Sequence, residues 1–275
     1  MTLALSDLKN PGAALHRVLG NFASSIREDI AKLADNTAVR IHDIRVSSKK
    51  IRSLLRLAGS QIAEDERDVL VADLQLIKNT FTGTRDEDVM RLRLRQVFSV
   101  ERAAIAMERL GLARVAESAD CVAAAASVAA ADLSSRLAAL NLDGLTPELL
   151  VENAAASYRR ARKVMRRCEE SPEDDLMHEW RKRVKDVCYH AMALSSLPAM
   201  EEFSGSVDAL AESLGEYHDL ALLGQRAALE KKIASRISAA KQKLGRQSFQ
   251  AARDVFRLTP RRFEEKLLRM VLSSR

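Results

Sequence analysis

The sequence predicts an all-α protein, and three observations carry that expectation. Glycine and proline are sparse, at 10 and 5 of 275 residues, while the strong helix formers Ala, Leu, Arg and Glu are abundant. Apolar residues recur at helical spacing, and no stretch alternates in the manner of a strand. Thr146-Pro147, Ser171-Pro172 and Thr259-Pro260 each pair an N-capping side chain with proline at a first helical position.

Pro11 opens a first helix that carries Leu15, Val18, Leu19, Phe22, Ile26, Ile30 and Leu33 and ends near Asp35-Asn36. A second runs from about Thr37 to Ala58, with Gly59 as its stop. The third, Ile62 to Phe81, is broken by Thr82-Gly83-Thr84. A fourth begins at Arg85 with Asp86, Glu87 and Asp88 in its first turn, where the helix dipole favours carboxylates, and reaches Leu110 before Gly111. Leu112 to Leu140 reads as one long Ala-rich helix. Asn141 to Thr146 then separates an N-terminal half, 10–141, from a C-terminal half, 146–273. The second half should hold helices over 147–168, 173–197, 200–214, 217–244 (unbroken or broken near Gly224), 246–257 and 260–273.

Lys and Arg outnumber Asp and Glu by 44 to 38, a net +6 that mildly favours anionic partners. Cys121, Cys168 and Cys188 form no CxxC or Cys/His metal spacing and read as free thiols of a reducing compartment. The N-terminal stretch lacks a basic region followed by an apolar one, so no secretion signal is expected. The most apolar run, Cys121 to Ala131, is far short of the roughly 20 apolar residues of a spanning helix. The expectation is a soluble cytoplasmic protein with no membrane partner, no metal and no cofactor.

The cations are not spread evenly. On the second helix, His42, Arg45, Lys49, Arg52 and Arg56 stand at offsets of 0, 3, 7, 10 and 14. At 100° per residue they share a wedge about 80° wide, while Ile41, Ile44, Ile51, Leu54 and Leu55 fall outside it. A solvated helix face is the plain alternative. Such a face more often alternates signs, whereas this row has no Asp or Glu at i±4, and like charges stacked along a helix are destabilising.

The halves repeat this pattern at a spacing of 136 residues. His178, Arg181 and Lys185 answer His42, Arg45 and Lys49, and Lys182 and Tyr189 join them in a wedge of about 100°. Leu214 to Asp219, LGEYHD, answers the Phe81-to-Asp86 break, so a helix opening on Asp219 is expected there. A third stripe, Arg159, Arg162, Lys163 and Arg166, lies just before the second motif, with Arg160 and Arg167 facing elsewhere. It suits either a lining of the same cavity or a solvated face. Arg85, Asp86 and Asp219 suit capping of their helices or holding basic side chains in place. His16, His190 and His218 have surface or packing roles.

Both H-x-x-R-x-x-x-K helices, each followed by TGTRDEDV or LGEYHDLALL, resemble the conserved histidine α-helical domain, the CHAD family. The resemblance runs from about residue 10 to about 270 and implies a single, stand-alone domain over 1–275. It implies two helical bundles related by a pseudo-twofold axis around a basic central cleft. It also implies binding of inorganic polyphosphate without catalysis, and with it an association with polyphosphate granules. The site residues expected for this ligand are His42, Arg45, Lys49, Lys50, Arg52, Arg56, Arg85, Arg159, Arg162, Lys163, Arg166, His178, Arg181, Lys182, Lys185 and Tyr189. Asp186 and Cys188 depart from the family's pattern, which has cations there, and Gly83 lies one position closer to Asp86 than usual.

The chemistry suits that ligand. Helical neighbours at i, i+3 and i+4 set cations about 5–6 Å apart along a linear anion. Arginine forks onto two phosphate oxygens, lysine adds an adjustable point charge, and a bound anion would favour protonated His42 and His178. Enzyme readings have less support: no phosphate-binding loop, nucleophile elbow or Cys/His pair is present, and His42-Asp43 and His218-Asp219 lack the further ligands of a metallohydrolase. The alternative is a general polyanion or nucleic-acid binder, since a basic helix can track any phosphate backbone. Few aromatics are available for base stacking, which argues against specific nucleic-acid binding. A helical scaffold that recruits proteins is a third class.

Overall fold

The computed structural model describes residues 2–81, 84–112, 123–227 and 230–273, and the side chains of all of these except 84–88 and 123. Regular structure among the described residues is entirely helical. Eleven α-helices run in order: α1 Pro11–Ala31, α2 Thr37–Ala58, α3 Glu64–Thr80, α4 Thr84–Val97, α5 Val100–Arg109, α6 Ala123–Ala139, α7 Pro147–Glu170, α8 Asp174–Ala193, α9 Met200–Arg226, α10 Lys231–Val255 and α11 Pro260–Ser273.

Helix starts follow local chemistry where the side chain reaches. Asn10 Oδ1 accepts from the Ala13 amide at 3.2 Å, Thr146 Oγ1 from Leu149 at 3.2 Å, and Thr259 Oγ1 from Arg262 at 3.3 Å. Ser171 differs from expectation. It ends α7, and its hydroxyl donates to Glu173 rather than capping α8.

Further boundaries depart from the sequence reading, among them the expected 217–244 helix, which is divided between α9, ending at Arg226, and α10, starting at Lys231. The first helix stops at Ala31 and a single 3-10 turn covers Leu33–Asp35. The helix expected from Arg85 to Leu110 is two helices, because Ser99 adopts an extended backbone. That bend turns Leu94, Ala103 and Ala106 onto one side against α9 and α10. Helix α9 runs unbroken through Gly215, and α10 through Gly245, where the sequence suggested stops. Both glycines are packing sites. A Cβ on Gly215 would lie 3.5 Å from the Arg181 guanidinium, and one on Gly245 would lie 3.3 Å from the Tyr217 ring. The break at Thr82-Gly83 and the first part of the expected Ala-rich helix, with Cys121, lie outside the described residues.

Packing follows the chain and then crosses it. Helix α6 covers α1 and α3, while α7 to α10 pack in succession and α11 lies on α7. Helix α2 reaches from the first half to α7 and α8, and α4 reaches to α9. One hydrophobic core therefore includes Leu15, Ile44 and Leu54 together with Trp180, Val184 and Leu210. Tyr158 stacks on Phe263 at 4.1 Å and donates to the Leu258 carbonyl at 3.0 Å, anchoring α11.

Candidate functional site

Helix α2 is capped by Asn36, whose side chain accepts from the Val39 amide. Its apolar face, Ile41, Ile44, Ile51, Leu54 and Leu55, is buried. On the other side His42 and Lys49 are exposed and Arg45, Arg52 and Arg56 half-buried. Arg52 donates to Gln75 at 3.4 Å, and burial lowers its pKa. Lys50, also expected at the site, lies outside the row and sits 5.0 Å above the Phe22 ring, where burial again lowers its pKa.

Helix α8 buries Met177, Trp180, Val184 and Val187, and this turns His178, Arg181, Lys182 and Lys185 the other way. The His178 ring stacks on His218 of α9, with centroids 3.8 Å apart. Burial, reinforced by His218, Lys182, Arg181 and Lys49, pulls the His178 pKa down to about 4, so the imidazole is neutral at pH 7. Lys49 of the first motif therefore acts on His178 of the second. Arg181 lies against the open Cα of Gly215, within the field of Asp219, and burial lowers its pKa. Tyr189 is buried, with Lys185 Nζ 5.8 Å above its ring.

Carboxylates from other helices sit among these cations. Arg56 Nη1 meets Asp186 Oδ1 at 3.0 Å, and Lys185 Nζ meets Asp208 at 3.2 Å. Arg93 of α4 meets Asp219 at 2.9 Å and Glu216 at 3.1 Å. The α2 row lacks acids at i±4, as its sequence indicates, yet α8 supplies one for Arg56. Both departures from the family pattern are used internally: Asp186 holds Arg56, and Cys188 donates to Asp208 at 3.4 Å. Burial pushes the Cys168 and Cys188 thiols up to about 12, so neither is a reactive thiolate. Asp219 caps no helix, since α9 does not break there; it holds Arg93.

The third basic stripe is placed differently from a cavity lining. Arg159 lies 3.8 Å from Glu264 of α11, and Arg162 donates to the Phe256 carbonyl at 3.1 Å. Lys163 and Arg166 are exposed. Arg160, which the sequence reading turned away, is the α7 residue in the field of Arg183, Asp186 and Arg56. The Arg85 side chain lies outside the described residues. Sequence reasoning missed four members of this neighbourhood: Arg93, Arg160, Arg183 and His218. Only His218 carried a signal, as the neighbour of Asp219 in the second break motif. His190, read as a surface or packing residue, is buried and donates from Nε2 to the Ser53 carbonyl at 2.9 Å.

The CHAD domain family model matches residues 14–228. The chain belongs to the CHAD family. A solved structure, the crystal structure of the CHAD domain from the plant Ricinus communis, shares the fold with a TM-score of 0.61 at 17% identity. The alignment covers 94% of this chain and 93% of that one. No curated protein matches the sequence. Among the described residues no helix is long and apolar enough to cross a membrane, and no group of His, Cys, Asp and Glu is arranged to hold a metal ion.

Proposed function

We propose that this CHAD chain binds inorganic polyphosphate, without turning it over, in a basic cleft where α2 meets α8. The observation that carries this reading is the meeting of the two motifs: Lys49 of α2 lies within electrostatic reach of His178, beside Arg181 and Lys182 of α8. Cations separated by more than a hundred residues of chain are held together by folding. Their mutual repulsion has no purpose in the fold itself, and a polyanion relieves it.

Binding is multivalent charge neutralisation. Arg45, Lys49, Arg52 and Lys182 meet phosphate oxygens directly, with Arg181 behind them. Arg56 and Lys185 join when phosphate competes with Asp186 and Asp208 for them. His178 becomes a protonated donor as the anion arrives, and His42 adds a donor at the start of the α2 row. Arg159, Arg162, Lys163 and Arg166 form an outlying surface toward α11. The two halves act as one domain, since the cleft needs both.

The test is a competition titration at near-physiological salt. Long-chain polyphosphate is set against nucleic acid of matched charge while free phosphate is monitored. Preference for polyphosphate with no phosphate release is expected. Displacement of bound polyphosphate by an equal charge of nucleic acid reduces the cleft to a general polyanion surface, and steady release makes the chain an enzyme.

A further inference from the structure

The charge of this chain is concentrated at its C-terminal end. Residues 231–275 hold 13 Lys and Arg against three acids, Asp254, Glu264 and Glu265, a net +10. The whole chain is +6, so residues 1–230 sum to −4. This segment lies beyond the stretch matched by the family, 14–228, and shares no residue with the α2–α8 cleft.

Helix α10 organises that charge. Ile233, Ile237, Gly245, Ser248, Ala252 and Val255 bury one side. Lys232, Arg236, Lys243, Arg246 and Arg253 are exposed and share an arc about 100° wide, nearly opposite that side. They extend over roughly 32 Å of helix. Between Glu230 and Asp254 the helix contains no acid, and none of these five has an ion-pair partner among the described residues. Lys241, on the inward side, is the contrast, because Asp174 holds it at 2.8 Å.

We propose that the outward face of α10 is a docking surface for duplex nucleic acid, contacted through its phosphate backbone. Several features select this occupant. The remaining positions on the arc are Ser235, Ala239 and Gln250, which add hydrogen-bonding groups or no bulk, and Asp254 in the last turn, beyond the four cations from Lys232 to Arg246. None of the exposed large apolar side chains lies on α10, so nothing is offered to insert into a bilayer. No aromatic residue lies on the arc to stack an unpaired base. The surface is an open, convex helix rather than a cleft. A thin flexible polyanion must be ordered to follow it, whereas a duplex, with a persistence length of about 50 nm, is already straight on this scale. The contact carries no base readout and is independent of sequence.

The test compares three proteins: wild type, the α10 variant Lys232→Glu/Arg236→Glu/Lys243→Glu/Arg246→Glu, and the cleft variant Lys49→Glu/Lys182→Glu. Each is titrated with a random-sequence DNA duplex, long-chain polyphosphate and phosphatidylglycerol vesicles. Circular dichroism and thermal unfolding check the fold, and a Gln version of the α10 variant serves if the Glu version unfolds. The α10 variant is expected to bind duplex at least about tenfold more weakly, with a log–log salt slope shallower by about 2 to 4, while polyphosphate binding is unchanged. Unchanged duplex binding overturns the proposal. An equal loss for polyphosphate, or a loss confined to vesicles, also overturns it. The cleft reading fails separately, if the cleft variant keeps polyphosphate.

Discussion

Arg56 on α2 and Asp186 on α8 form an ion pair at 3.0 Å that joins positions 130 apart in sequence. Asp186 is nearly buried and Arg56 partly open, with side-chain exposures of 11% and 36%. The pair ties the two motif helices together and also removes one positive charge from the face proposed to bind phosphate. Structure and affinity therefore pull Asp186 in opposite directions.

Asp186→Asn should separate these roles. Losing a half-screened pair costs about 1 kcal/mol, a drop in Tm of roughly 2–4 °C for a chain of this size. Removing the negative charge should tighten polyphosphate binding about fivefold, equivalent to roughly 1 kcal/mol of Coulomb energy a few ångströms away. Thermal unfolding and a titration on the same sample check both signs. A variant that is less stable and also binds more weakly would place Asp186 outside the binding face.

The histidines set a pH dependence. His178 has its folded pKa lowered to about 4, against 6.5 for a free imidazole, and buried His190 is shifted in the same direction by desolvation. Protons then bind the unfolded chain first, so stability is full above about pH 6.5 and falls as pH drops toward 4. His178→Gln should flatten part of that fall in urea titrations at pH 7 and pH 5. Bound polyphosphate stabilises the imidazolium, so affinity should rise over the same decrease in pH. The NMR titration of the His178 ring should move upward when ligand is present.

Charge reversal on exposed cations tests the proposed cleft most directly. Lys49→Glu with Lys182→Glu leaves the half-buried Arg181 and its neighbours intact, so helicity should be retained. Polyphosphate affinity should fall more than tenfold if each reversal costs on the order of 1 kcal/mol. Wild-type affinity should also rise with polymer length and fall steeply with salt, because each contact is a screened ion pair. Affinity that ignores ionic strength would contradict a charge-based mechanism.

Much of this was legible from local patterns. The α2 row, the second motif on α8 and the caps at Thr146 and Thr259 each depend on residues a few positions apart. What was hidden depends on partners far along the chain. Gly215 and Gly245 look like helix stops in one dimension. In three they are gaps filled by Arg181 and Tyr217, which no local signal reveals. Arg93 reads as one arginine in a run of three, and only folding brings it to Asp219 and Glu216. Arg160 and Arg159 differ by 100° of helix rotation, and the choice between them was made by α11, which draws Arg159 toward Glu264.

Glycine substitutions should show the same contrast energetically. Gly59 ends α2 with φ of +61°, and a Cβ there would collide with the Asn153 side chain. Asn153 Nδ2 donates to the Leu57 carbonyl at 3.1 Å, satisfying the last turn of α2 from α7. Gly59→Ala therefore strains the backbone and displaces that donor, and should cost about 1–3 kcal/mol. Gly205 in α9 is exposed with open space around it, so Gly205→Ala should stabilise by about 0.5–1 kcal/mol. Urea unfolding of the two variants, run in parallel, should shift in opposite directions. Because Gly59 and Asn153 fix the end of α2 against α7, Gly59→Ala should also weaken polyphosphate binding, while Gly205→Ala leaves it unchanged.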